Sequence, residues 1–225
     1  MSTATFPALD TVYPESDGKP MADNTVQWEW MVLIVEELRE QFVGQEVFVA
    51  GDLLWYPVEG QPRISAAPDA MVVFGRPAGD RRSYLQWMEG GLAPQVVFEV
   101  LSLSNTDQEL EAKLQFYELH GVEEYYVIDP YDQLVYGYTR RARRLSAIRK
   151  VLDFTSPRLG IRFEKSDGEL RIVSRSGRPF QTRSEQVGDL KSELVEKREE
   201  LQAERKQKEQ FAAKLRELGI DPDQL

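Results

Sequence analysis

Val96-Val97-Phe98-Glu99-Val100-Leu101-Ser102, then a helical segment at 107–119, then Glu124-Tyr125-Tyr126-Val127-Ile128-Asp129-Pro130: this stretch decides the fold. Both outer runs are almost continuously apolar, as central strands covered on both faces are. Thr106 and Glu109 have the spacing of a capping box at the helix start, and Gly121 fits a left-handed cap at its end. Apolar strand, helix, apolar strand reads as a parallel crossover unit. One residue breaks the pattern. Glu99 sits between Phe98 and Val100, where a charge is costly unless it is paired or metal-bound.

Upstream, Pro68-Asp69-Ala70-Met71-Val72-Val73-Phe74 reads as a second apolar strand that opens on an acid. Two carboxylates brought close repel each other, and a divalent cation relieves the repulsion. The chain has no cysteine and one histidine, His120, so oxygen ligands and Mg²⁺ or Mn²⁺ are the expected chemistry. A buried arginine partner for Glu99, or a strand-end position, is the competing reading. Leu110, Lys113, Leu114 and Tyr117 fall on one helical stripe, which places Lys113 inside the apolar arc. From there its ammonium reaches the edge of a carboxylate site, to stabilise developing negative charge or orient a water. Alternatively it snorkels to the rim. Glu109 is sufficiently explained by the cap.

Outward from this centre, residues 1–23 lack periodicity and read as an extended arm. Met31, Ile34, Val35, Leu38 and Phe42 predict a helix over 26–42, capped by Asn24 or Thr25, with Glu36, Glu37 and Glu40 on or beside its polar side, solvated or, for one of them, facing a site. A strand over 45–56 is interrupted at Gly51-Asp52 by a bulge or turn. The long connection at 75–94 carries Arg76, Arg81 and Arg82, which could touch phosphates. Two hairpins follow, 133–139 with 145–151 around Arg140 to Arg144, and 157–163 with 169–174 around Asp167-Gly168. The expected domain spans 24–184, an α/β fold with a mixed β-sheet core flanked by helices. From 185 the chain turns charged and helix-favouring. Leu190, Leu194, Leu201, Phe211, Leu215 and Leu218 fall on heptad positions interrupted by Lys197, Glu204 and Lys208, and Gly219 and Pro222 end the pattern. Residues 185–225 are thus a coiled-coil-like helix, suited to a homodimer or a partner, or else a single solvated helix.

Composition narrows the chemistry. Without cysteine, disulfides, iron–sulfur clusters and thiol nucleophiles are excluded, and a lone histidine argues against a Ser-His-Asp triad or a histidine-rich zinc site. No apolar run reaches membrane-spanning length and the N-terminus lacks a signal pattern, so a cytoplasmic protein with no membrane association is expected. The net charge of −10 is uneven: residues 139–184 hold 13 basic and 4 acidic side chains. An acidic centre followed by a basic segment suits an anionic substrate beside a metal pocket; equally, these arginines could lie on exposed strand faces.

Pro68-Asp69, Phe98-Glu99-Val100-Leu101-Ser102, Lys113, Tyr117 and Gly121 to Pro130 resemble the Uma2 (DUF820) family of the PD-(D/E)XK restriction-endonuclease-like superfamily, over roughly 24–175. The resemblance implies that Asp69 and Glu99 bind Mg²⁺, that the metal polarises a phosphodiester, and that the substrate is nucleic acid, DNA ahead of RNA. The superfamily lysine two residues after the glutamate is absent, because that position is Leu101; Lys113 on the following helix matches the Uma2 pattern instead. The expected function is a Mg²⁺-dependent endonuclease of little sequence specificity with Asp69, Glu99 and Lys113 as its catalytic set. A non-catalytic nucleic-acid-binding or regulatory module on the same fold, or a coiled-coil interaction protein, are the alternatives.

Overall fold

The computed structural model describes residues 11–16, 18 and 20–217. Helix α1 (Thr25–Gln41) starts where Asn24 accepts a hydrogen bond from the Gln27 N–H. Its Met31, Ile34, Val35 and Leu38 recur at helical spacing and are buried. There follow β1 (Val47–Ala50), β2 (Trp55–Tyr56), β3 (Ala70–Phe74), β4 (Tyr84–Leu85), β5 (Val96–Val100), α2 (Asp107–His120), β6 (Glu124–Asp129), β7 (Leu134–Arg141), β8 (Arg144–Ala147), β9 (Arg162–Ser166), β10 (Glu169–Val173) and α3 (Arg183–Glu217).

The main sheet has the order β1-β3-β5-β6-β7-β8. Strands β5 and β6 run parallel and the other neighbours antiparallel, so α2 is the crossover that the sequence predicts. Alternation along β5 sorts its side chains onto two cores. Val96, Phe98 and Val100 join α1, and Val97 joins Tyr117 of α2 with Tyr125 and Val127 of β6. Each fully buried aliphatic or aromatic side chain contributes roughly 1.5–3 kcal/mol, so β5 is anchored on both faces.

Helix α2 is polar, and Tyr117 is its one buried residue. Leu110, Leu114 and Phe116 pack partly buried beside it, and the helix ends are held as well. Thr106 and Glu109 form the capping box, Gly121 adopts φ 98°, and Arg140 of β7 donates to the carbonyls of Glu118 at 2.7 Å and Tyr117 at 3.3 Å. A guanidinium there also complements the negative end of the helix dipole. Gly51, just past β1, is required by close approach: a Cβ would lie 2.9 Å from Val35 Cγ2 and 3.0 Å from the Asp69 carbonyl.

Several expectations need correction. Glu37 is buried, paired with Arg178 at 2.7 Å, rather than solvated. Arg140 and Arg141 belong to β7, and the hairpin turns at Ala142. The second hairpin starts at Arg162, because Glu124 accepts from the Ser156 hydroxyl and the Arg158 N–H and draws that segment off the strand path. The 75–94 connection contains β4 and a 3₁₀ turn, Gln86–Glu89. Within the arm, Tyr13 packs 5.2 Å from Tyr56 and 5.0 Å from Trp87; residues 1–10, 17 and 19 lie outside the described residues.

Residues 1–180 and 181–225 form two compact units. The second contains α3, 35 residues long, on which Leu190, Leu194, Leu201 and Phe211 are exposed. Glu204 and Lys208, two of the interrupting heptad residues, form an ion pair at 2.8 Å within the helix. Leu218, Gly219 and Pro222 lie outside the described residues. Among the described residues no helix is long and apolar enough to cross a membrane.

Candidate active site

The antiparallel register of β3 and β5 pairs Ala70 with Phe98 and Met71 with Val97. One residue further, Asp69 stands opposite Glu99, on the face covered by α2. Asp69 Oδ2 accepts the Val100 N–H at 2.6 Å, which ties the start of β3 to the end of β5. The register of β1 and β3 pairs Ala50 with Met71. Extended past Gly51, it brings Asp52 alongside Asp69, and the Asp52 N–H donates to the Pro68 carbonyl at 2.9 Å. Three carboxylate residues thus lie side by side, Glu99 on β5 and Asp69 and Asp52 just beyond the ends of β3 and β1. From the sequence, Gly51-Asp52 reads as a bulge or turn within a stretch, 51–57, that also resembles the Uma2 family, with no site role assigned to Asp52. The local signal was an acid after glycine interrupting an apolar strand, and Asp52 has φ 47° there.

Glu99 is 2% exposed, and α2 supplies partners for both of its oxygens. Lys113 Nζ lies 2.6 Å from Oε2, and the Tyr117 hydroxyl, one turn later, donates to Oε1. The i, i+4 spacing of Lys113 and Tyr117 sets both over the same carboxylate. The Tyr117 ring stacks on Trp55 at 6.4 Å and meets Tyr125 edge-on at 5.0 Å. Leu101, at the superfamily lysine position, is partly buried in the α2-side core. The alternative partner for Glu99, a buried arginine, is not what the fold provides. The sequence puts Tyr117 on the apolar stripe and in the Uma2 resemblance, but a tyrosine at helical spacing carries no mark of its hydroxyl's target.

These contacts set the protonation states. Burial, then the neighbouring Glu99, pushes the Asp69 carboxyl up to about 8. Burial alone would lower Lys113, but its contact with Glu99 outweighs this and its pKa is raised, so it stays an ammonium. Burial and Glu99 likewise keep the Tyr117 hydroxyl protonated, as a donor.

A pocket of about 480 Å³ opens beside these groups, with Asp52, Asp69, Glu109 and Lys113 in its walls and Asp23, Ser104 and Asn105 at its side. Asp23 accepts from the hydroxyls of Ser102, at 2.6 Å, and Ser104, and so pins the arm to the loop before α2. Among the described residues no group of three or more His, Cys, Asp or Glu side chains is arranged to hold a metal ion. The donor set nevertheless fits Mg²⁺ in its common mode, in which one or two carboxylates are completed by water and substrate phosphate. Asp69 lines the pocket, its pKa is raised by burial and by the neighbouring Glu99, and a cation there would favour its ionised form.

The basic residues are dispersed. Arg158 pairs with Glu123, Arg162 with Glu164, Arg171 with Glu169 and Arg178 with Glu37. In the 75–94 connection, Arg81 is held by Glu89 at 2.7 Å and covers the Phe48 ring, and Arg82 pairs with Glu15. Glu124, a second buried carboxylate, faces the α1 side and bonds Tyr126 and Ser156.

No curated protein matches the sequence. A solved structure of a DUF820 protein from Anabaena variabilis, described as a "putative nuclease", is similar with a TM-score of 0.45 and 17% identity, over 62% of this chain and 74% of its own. Residues 25–159 match the Uma2 family model, described as "Putative restriction endonuclease". That match spans α1 to the segment after β8 and includes Asp52, Asp69, Glu99, Lys113 and Tyr117, and the chain belongs to the Uma2 family.

Proposed function

We propose that this protein hydrolyses phosphodiester bonds in nucleic acid, with Asp69 and Glu99 as ligands for Mg²⁺ or Mn²⁺ and Lys113 as the catalytic ammonium. The observation that carries the reading is the Asp69–Glu99 opposition with Lys113 on Glu99, at the wall of an open pocket. A bound metal would polarise the phosphodiester and lower the pKa of an attacking water. Asp69 presents its second oxygen without a hydrogen-bond partner among the described residues. Glu99 is held in one orientation by Tyr117 and Lys113. Lys113 is partly exposed, so its ammonium can donate to a non-bridging phosphate oxygen while it stays close to Glu99. It reaches this place from α2, which supports its taking over from the lysine missing at Leu101. Little base selectivity is proposed. The test is cleavage of single- and double-stranded DNA and RNA with Mg²⁺ or Mn²⁺, against Glu99→Ala as control. Equal, background-level cutting by both proteins would sink the reading.

One observation favours a second reading, a binding module without hydrolysis. Both Glu99 oxygens are already bonded within the protein, so a metal must compete with Lys113 or Tyr117. Binding that survives chelation of divalent ions and the Asp69→Asn change would support it. The exposed heptad leucines of α3 support a further proposal, a homodimer through that helix.

A further inference from the structure

We infer that the tip of the β7–β8 hairpin is a second, remote nucleic-acid contact that grips the phosphate backbone away from the carboxylate pocket. The inference rests on the proposed nucleic-acid substrate, but not on its hydrolysis. The tip reads Arg140-Arg141-Ala142-Arg143-Arg144. Arg140 turns inward to cap α2, as described. Arg141, Arg143 and Arg144 are exposed, and none has a carboxylate partner among the described residues. Arg158, Arg162, Arg171 and Arg178 are each matched with an acid; among the described residues Arg149 and Arg175 are not, but they stand singly, whereas this turn sets three unmatched arginines within four residues. Three guanidinium groups within four residues repel one another, and a polyanion relieves that repulsion. Ala142 sits at the turn with φ 55°, and no large apolar side chain accompanies the arginines, so the tip has nothing to insert into a lipid surface.

Register gives the tip's place. Glu99 pairs with Val127, and Val127 with Tyr136. Arg141 is five residues further along β7, about 17 Å along the strand direction at ~3.4 Å per residue. It lies at the opposite end of the sheet from the carboxylates, so one phosphate cannot touch both. At ~3.4 Å of duplex axis per phosphate of one strand, the gap is about five nucleotides. The pocket itself is acidic, with Asp23, Asp52 and Glu109 against Lys113, and repels a backbone unless cations are present. An anchor outside the pocket supplies attraction that does not depend on the metal.

The test measures binding by fluorescence anisotropy of labelled DNA and RNA of graded length, at several salt concentrations, with Ca²⁺ and separately with chelator. The full-length chain is compared with the Arg141→Ala/Arg143→Ala/Arg144→Ala triple variant and with Arg171→Ala. For strands well above about five nucleotides, the triple variant should lose roughly tenfold or more in affinity, and the slope of log K against log salt should fall by about 2–3. The loss should persist in chelator and should not appear with Arg171→Ala, whose side chain is paired with Glu169. Unchanged affinity and slope in the triple variant overturn the inference and leave the arginines as guards of an edge strand. Binding to anionic phospholipid vesicles but not to nucleic acid also overturns it. Because binding is read without cleavage, an inactive protein that still loses affinity refutes the hydrolysis reading alone. Active protein with unchanged affinity refutes the hairpin contact alone.

Discussion

Lys113 on α2 and Glu99 on β5 meet at 2.6 Å, across the space between helix and sheet, with the lysine at the pocket wall and the glutamate 2% exposed. The pair does two things. It locks a polar helix onto the sheet, and it keeps a cation at the mouth of the proposed metal site. Removing Lys113 leaves a buried carboxylate with only the Tyr117 donor. Lys113→Met is expected to destabilise the chain by about 1–3 kcal/mol, below the loss for a fully buried pair because the ammonium is partly solvated. Nuclease activity should vanish. Adding Glu99→Gln should recover part of the stability and none of the activity. Urea unfolding of the two single variants and the double variant measures the coupling. Additive effects would show that the contact carries no energy.

Asp69 makes stability depend on pH in an unusual direction. Its carboxyl is raised from 3.8 to about 8, chiefly by burial and next by Glu99. Between about pH 4 and pH 8 the folded chain therefore holds a proton that the unfolded chain has released. Stability falls as pH rises through that window, and the penalty is complete above about 8. A divalent cation favours the ionised form and should raise the melting temperature more at pH 8 than at pH 5. Asp69→Asn should flatten the profile, stabilise the metal-free chain at pH 8 and remove the Mg²⁺ response. Thermal melts across pH 4–9, with and without Mg²⁺, test this. An Asp69→Asn variant less stable than the native chain at pH 8 would contradict the assignment.

The central strand–helix–strand unit was legible because its signals are local: two apolar runs, a capping box at Thr106 and Glu109, and a glycine at position 121. Asp69 and Glu99 were legible for the same reason, as acids in oily strands. What lay hidden depends on register. Asp52 joins Asp69 only because β1 lies beside β3. Glu37 is buried because Arg178, 141 residues away, comes to meet it. The basic segment suggested one phosphate track, but four of its arginines pair with carboxylates, two nearby (Glu164, Glu169) and two distant in sequence (Glu123, Glu37), and strand direction carries Arg141, Arg143 and Arg144 to the far end of the sheet.

Tyr117 was also hidden, and it gives a sharper test of the site's geometry than the charged residues do. Its hydroxyl donates to Glu99 Oε1, and its ring is fixed between Trp55 and Tyr125. Tyr117→Phe keeps the ring and removes the donor. Loss of a hydrogen bond to a buried carboxylate should cost about 1.5–3 kcal/mol in unfolding experiments. If Glu99 is a metal ligand, activity or metal affinity should fall by about 10–100-fold, as when a partner orienting a ligand is removed. Stability loss with unchanged metal affinity by titration calorimetry would make the tyrosine a purely structural clamp.

Helix α3 poses a separate question, because its leucines have no cover within the described residues of their own unit. Leu190, Leu194, Leu201 and Phe211 repeat at heptad spacing and are at least half exposed, at 63%, 52%, 50% and 66%. A single helix gains nothing from such a seam, whereas two copies bury it. Lys197, Glu204 and Lys208 interrupt the seam, and the Glu204–Lys208 pair within the helix lets those charges sit side by side without a partner strand's help. Association should therefore be modest and dependent on concentration. Sedimentation equilibrium of the full chain should show a monomer–dimer equilibrium. Leu194→Glu with Leu201→Glu should shift it to monomer and lower the helical circular dichroism signal, with any nuclease activity per chain retained. A monomer at all concentrations would remove the dimer proposal. A dimer that survives both substitutions would place the interface elsewhere on the chain.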